Sequence, residues 1–132
     1  MHNKSLFDYA VIRVVPRVER EEFINVGVIL YCKAERFLEA KYQLDTQRLL
    51  AFSPELDLDC VKENLKAIAQ ICMGKKEGGA IAELDLASRF RWITSTRSTI
   101  IQMSKVHPGY TSNAAETLEK LYQELVLLSK SA

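Results

Sequence analysis

Two apolar runs, residues 7–15 (FDYAVIRVV) and 23–32 (FINVGVILYC), constrain this chain more than any other feature. Both are rich in β-branched residues and nearly unbroken, the pattern of strands covered on both faces. Pro16 lacks an amide donor and ends the first run. The charged segment 17–22 (RVEREE) is a solvated connection, so the two runs pair as an antiparallel hairpin. That connection is too long for turn chemistry to fix the register. Residues 37–44 then alternate, with Leu38, Ala40, Tyr42 and Leu44 on one side and Phe37, Glu39, Lys41 and Gln43 on the other. This predicts a third strand with one wet face, and Glu39 and Lys41 suit an edge that discourages pairing between molecules.

Helical signals follow. Asp45 caps a short helix that runs to Phe52 and stops at Ser53 and Pro54. A longer helix starts at Asp57 or Asp59, carries Val61, Leu65, Ile68 and Cys72 at helical spacing, and closes at Gly74. Residues 75–79 (KKEGG) read as a flexible loop, residues 90–93 and 99–103 as strands, and Pro108-Gly109 as a turn. A last helix spans residues 114–129, with Asn113 and Glu116 in a capping-box arrangement. Its stripe of Ala114, Leu118, Leu121, Leu125 and Leu128 reads as core rather than as a partner face. The expected fold is α+β: one domain over residues 1–132, an antiparallel sheet of about four to five strands, and two main helices packed on one face.

Charge and cysteine usage bound the function. With 18 basic and 17 acidic side chains the net charge is +1, so anion binding has to be local rather than global. Cys32, Cys60 and Cys72 form no C-x-x-C pair and read as reduced core thiols of a cytoplasmic protein. Two isolated His do not complete a zinc set, and neither a metal nor a cofactor is expected. The N-terminus (MHNKSLFDYA) has no signal-peptide run, and no stretch approaches the roughly 20 apolar residues that span a bilayer, so no membrane partner is expected.

Three separated blocks, YAVIRVVPR at residues 9–17, EFINVGVIL at 22–30 and FRWITSTRSTIIQMSKVHPG at 90–109, resemble in the same order the pattern of the bacterial domain-of-unknown-function family 3037. The resemblance covers essentially the whole chain, with Thr96 and Met103 standing where the family pattern carries Pro. It implies an uncharacterised accessory protein whose partner is a HipA-like kinase protein, and it implies no mechanism.

Two sets of residues are candidates for a site. If the inner faces of the first two strands coincide, Arg13 and Asn25 lie together near Gly27, where a missing side chain admits another backbone or a ligand. The alternative is a buried structural contact of Arg13 with a carboxylate or a carbonyl, with Glu22 the candidate carboxylate. The second set is Arg91, Arg97, Ser98, Thr99 and His107, guanidiniums beside hydroxyls that suit a phosphate or carboxylate. Trp92 or Tyr110 adds a stacking surface for a nucleotide or nucleic acid. The alternative there is a solvated hairpin paired with Glu22, Glu83 or Asp85. His107 is the one candidate general base, for a metal-independent phosphodiesterase acting with Arg97 and Lys105; a turn histidine satisfied by backbone carbonyls is the competing reading. The function favoured is a non-enzymatic accessory or interaction module. A nucleotide- or nucleic-acid-binding protein is the alternative.

Overall fold

The computed structural model describes residues 3–95 and 100–128. Five strands, β1 (Ser5–Val14), β2 (Ile24–Cys32), β3 (Phe37–Tyr42), β4 (Ile101–Met103) and β5 (His107–Thr111), form one antiparallel sheet. β2 lies between β3 and β1, while β4 and β5 share the far side of β1. The α+β class, the sheet of antiparallel strands and the opening three-strand meander are therefore as the sequence predicts, and β3 does lie at an edge.

One long return strand makes up the far edge. β4 pairs Met103 with Ile12, β5 pairs His107 with Tyr9, and three residues, 104–106, stand opposite Ala10 and Val11. The extra residue is a bulge. Ser104 stitches it: its Oγ accepts the Val11 amide at 2.8 Å, and its own amide donates to the Val11 carbonyl at 2.9 Å. Pro108-Gly109, expected as a turn, sits inside β5 instead. An edge strand tolerates a proline because one side of its backbone needs no donor. Gly109 faces Phe7 across the pair, and a Cβ there would stand 2.6 Å from the Phe7 ring.

A second bulge lies in β2. Ile12 pairs with Gly27 but Arg13 pairs with Asn25, so Val26 is extra. The slip reverses which side Asn25 takes relative to Gly27. Arg13 and Asn25 share a face as cross-strand partners, whereas Gly27 lies on the other. Gly27 is crowded by β3, where a Cβ would meet the Lys41 carbonyl and the Tyr42 Cβ, each at 2.7 Å.

The helices are α1 (Thr46–Phe52), α2 (Leu58–Met73), α3 (Leu86–Ser95) and α4 (Ala114–Leu125), with 3-10 turns at Val18–Arg20 and Lys76–Glu83. Asp45, Asp57 and Asn113 cap α1, α2 and α4 through side-chain oxygens, and Gly74 closes α2 in the left-handed conformation. Residues 90–93, expected as a strand, belong to α3. Leu86, Phe90 and Ile93 fall at helical spacing, and the Asp85 carboxylate accepts the Ser88 amide at 2.7 Å. That amide and the Ser88 hydroxyl hold the Asp85 carboxyl below its usual range.

The two main helices do not share a face of the sheet. Ala10, Ile12, Val14, Ile24 and Ile29 pack under α1, α2 and α3, against Leu49, Leu65, Ile71, Phe90 and Ile93. Phe7, Val28, Leu30 and Cys32 pack under α4, against Ala114, Leu118, Tyr122 and Val126. The reason is in the strands themselves: β1 and β2 are apolar on both sides, so both sides need a cover. Along α4 the buried stripe runs through Ala114, Leu118 and Tyr122 and is continued by Val126 just past its end; Leu121 and Leu125 flank it, and Leu128 is exposed.

Candidate functional site

The β2 bulge creates a polar row on the α4 face of an otherwise apolar sheet. Arg13 stands at its centre, between Asn25 on β2 and Gln102 on β4. Phe23, just ahead of β2, lies over the guanidinium, with Arg13 Cζ 4.0 Å from the ring centroid. Such a stack contributes about 0.5–1 kcal/mol at an exposed site and leaves the edge of the guanidinium free.

Among the described residues, no carboxylate pairs with Arg13. Glu22, the partner expected for it, is taken by Arg20, whose Nε and Nη2 donate to it at 2.6 and 3.3 Å. Arg13 Nε is buried and has no hydrogen-bond partner among the described residues. Asn25 repeats the pattern with opposite polarity. Its Nδ2 donates to the Leu125 carbonyl at 3.1 Å, tying down the end of α4, while Oδ1 is buried without a partner. Turning the amide over would set Oδ1 against a carbonyl oxygen, so the acceptor is pinned where it stands. A buried donor or acceptor left unmade costs about 1–3 kcal/mol. Two such atoms lie on these facing residues, and Arg89 Nε on α3 is a third.

The other candidates are dispersed. His107 lies on the same face as Arg13, opposite Tyr9, exposed, with its ring 5.2 Å from the Tyr9 ring. It is four residues of β1 away from Arg13, about 13 Å at strand rise. Arg91 is exposed on α3, on the opposite side of the sheet, and donates from Nη2 to the Ser88 hydroxyl at 3.3 Å. Arg97, Ser98 and Thr99 lie outside the described residues. The sheet therefore joins Arg13 with Asn25 and separates both from Arg91.

Arg89, the remaining arginine of that block, has a structural task. Its Nη1 donates to the carbonyls of Ile71 and Cys72, at 2.9 and 3.1 Å, and so satisfies the end of α2 from α3. Phe23 and Gln102 are the site residues that pattern reading passed over. In a strand, Phe23 and Asn25 share a face by the period of two, so an aromatic beside a lone strand arginine is the signal that could have found Phe23. Gln102 meets Arg13 only through the long-range β1–β4 pairing, for which no local signal exists.

A guanidinium stacked on one face and open at its edge takes a carboxylate or phosphate through two parallel hydrogen bonds. Among the described residues, no three His, Cys, Asp or Glu side chains are grouped to hold a metal ion, and no helix is long and apolar enough to cross a membrane.

The architecture and this site define a small α+β protein built on one bulged antiparallel sheet. The model of a family described as protein of unknown function (DUF3037) matches residues 9–126, and the chain belongs to that family. No curated protein and no solved structure matches it.

Proposed function

We propose that the protein is a non-enzymatic accessory module that docks on a protein partner by taking an acidic group of that partner at Arg13. The observation that carries this reading is the half-buried Arg13 guanidinium, stacked on an exposed Phe23, with Nε buried and no acid among the described residues to pair with. A charge held in that state is matched by a charge from outside. The partner implied by the family resemblance is a HipA-like kinase protein, and the three free thiols fit a reducing, cytoplasmic setting. The test is calorimetric titration of the chain with a HipA-like kinase protein. Tight binding that weakens more than tenfold in Arg13→Gln and in Phe23→Ala, with unchanged melting, supports the reading. Binding indifferent to both substitutions, or no binding, removes it.

A second reading rests on a different observation, the exposed His107 with its ring tilted against Tyr9 on the same face. It makes the row a nucleotide or nucleic-acid site with metal-independent phosphodiester cleavage. Turnover by wild type that disappears in His107→Ala favours it over docking.

A further inference from the structure

The two edges of the sheet differ. The β4–β5 edge is interrupted by its bulge at residues 104–106 and by Pro108, which has no amide to offer a neighbour. β3 carries neither device. The Gln43 amide donates to the Val26 carbonyl at 2.8 Å, which sets the phase of the β2–β3 ladder. Phe37, Glu39 and Lys41 therefore turn their amides and carbonyls towards β2, and Leu38, Ala40 and Tyr42 turn theirs outward. Among the described residues no hydrogen bond reaches those outward groups. The side chains follow the pleat, with Leu38, Ala40 and Tyr42 on the α2 face and Glu39 and Lys41 on the α4 face. Lys41, expected from the sequence to deter pairing, leans inward onto α4. Its Nζ pairs with Glu119 and lies 5.2 Å from the centroid of the Tyr122 ring. Glu39 is exposed and has no ion pair among the described residues.

We infer that β3 pairs antiparallel with β3 of a second copy of this chain, about a twofold axis at Ala40. Charge chooses this register. Centred on Ala40, the pairing sets Ala40 against Ala40 of the second copy and Leu38 against its Tyr42, so every outward amide and carbonyl of the strand is used. The same register places Glu39 opposite Lys41 of the second copy, and the twofold repeats the pair. These are the positions without mutual hydrogen bonds, with Cα atoms about 4.5 Å apart, where facing side chains come closest. Moving the axis by one residue either way keeps the outward groups in phase but sets Glu39 against Glu39, or Lys41 against Lys41. It also carries one outward residue past the end of the strand. Leu38 facing Tyr42 adds an apolar cross-strand pair on the α2 face. The two charges that repel an unrelated strand are thus complementary to their own copy. The inference goes beyond docking at Arg13, since it needs neither Arg13 nor Phe23.

The experiment is sedimentation velocity of the full chain over a dilution series. Wild type is expected to sediment as a dimer of the 15.0 kDa chain and to dissociate on dilution. Ala40→Pro removes an outward amide that the single chain does not use, and it is expected to be monomeric. Glu39→Lys and Lys41→Glu each set like charges face to face, and each alone is expected to raise the dimer dissociation constant more than tenfold. Mixed in equal amounts, the two charge variants are expected to form a heterodimer, because each then meets the opposite charge at both positions. If Ala40→Pro melts well below wild type, the charge variants decide alone. A wild type that stays monomeric throughout, a dimer indifferent to Glu39→Lys, or charge variants that stay apart on mixing overturns the inference. Arg13→Gln is expected to leave the dimer intact, so this inference and docking at Arg13 fail separately.

Discussion

Ser104 Oγ accepts the Val11 amide hydrogen at 2.8 Å, in the place where a flat ladder would put a main-chain carbonyl. The hydroxyl also donates to the Lys105 carbonyl at 2.9 Å, so both of its roles are engaged. The bulge that joins β4 to β5 thus leaves no donor stranded at the centre of β1. Ser104→Ala removes the acceptor and keeps the volume nearly unchanged. Because the Val11 amide is buried, the expected cost is about 1–3 kcal/mol. Chemical denaturation reads this directly, and Val11 is expected to lose amide-exchange protection before its neighbours. A variant as stable as wild type would show that the hydroxyl does not hold the bulge.

Gly27 gives a second prediction. Val has the better strand propensity, so exposure to propensity alone would favour Gly27→Val. The structure predicts the reverse, because a Cβ at this position would sit 2.7 Å from the Lys41 carbonyl, a backbone atom that cannot swing aside. Even Gly27→Ala is expected to cost about 1–3 kcal/mol, the range of overpacked cores. A melting curve for Gly27→Ala that overlays wild type would contradict the crowding.

Much of this fold was legible because its signals are local. The caps at Asp45, Asp57 and Asn113 and the stop at Gly74 are each set by residues within one helical turn. The two-sided burial of β1 and β2 was also present, in the unbroken apolar runs, and it already required helices on both faces. What misled was chemistry read without its partners. Phe90, Trp92 and Ile93 look strand-like by propensity, yet α3 forms because Phe90 and Ile93 reach the core from one side of a helix capped by Asp85. The two bulges leave no mark in the sequence, since each is a mismatch in residue number between strands far apart in the chain. That is why Arg13 and Asn25 could be paired from the period of two while Gly27 was placed on the wrong side of them.

The thiols make a third prediction. Burial pushes Cys72 up to about 12 from its ordinary 9.0, with the Arg89 charge acting in the opposite direction. The thiolate is the reactive species, so Cys72 is inert in the native state. Cys32 is buried as well, whereas Cys60 is partly exposed. Alkylation under native conditions, followed by peptide mass analysis, is expected to mark Cys60 first. The sign for stability follows from linkage. The folded value lies above the unfolded one, so this contribution is complete below about pH 9 and drains away as pH rises towards 12. Tyr31 and Tyr122 are also raised by burial and add to the alkaline loss, so the readout is the difference between wild type and Cys72→Ala. The variant is expected to show the shallower decline. Equal slopes, or Cys72 alkylated as fast as Cys60, would remove the assignment.

The last prediction concerns Arg13, because stability and binding are expected to move in opposite directions there. A structural arginine paired with a buried carboxylate would cost about 3–5 kcal/mol on removal, by leaving the partner charge uncompensated. Among the described residues no carboxylate pairs with Arg13, and Glu22 is bound by Arg20. Arg13→Met keeps the length of the stem and its contact with Phe23, and it deletes a buried Nε that has no acceptor. The gain from removing that donor offsets the lost cation–π contact, so the change in stability is expected to stay within about 0.5 kcal/mol and to lean towards a higher Tm. Binding of the acidic partner group, by contrast, has no substitute for the guanidinium and is expected to fall by more than tenfold. Denaturation and titration on the same preparation of Arg13→Met measure both sides. A loss of several kcal/mol would make Arg13 a structural residue with a partner among the groups around it, and the docking function assigned to this face would have to be given up.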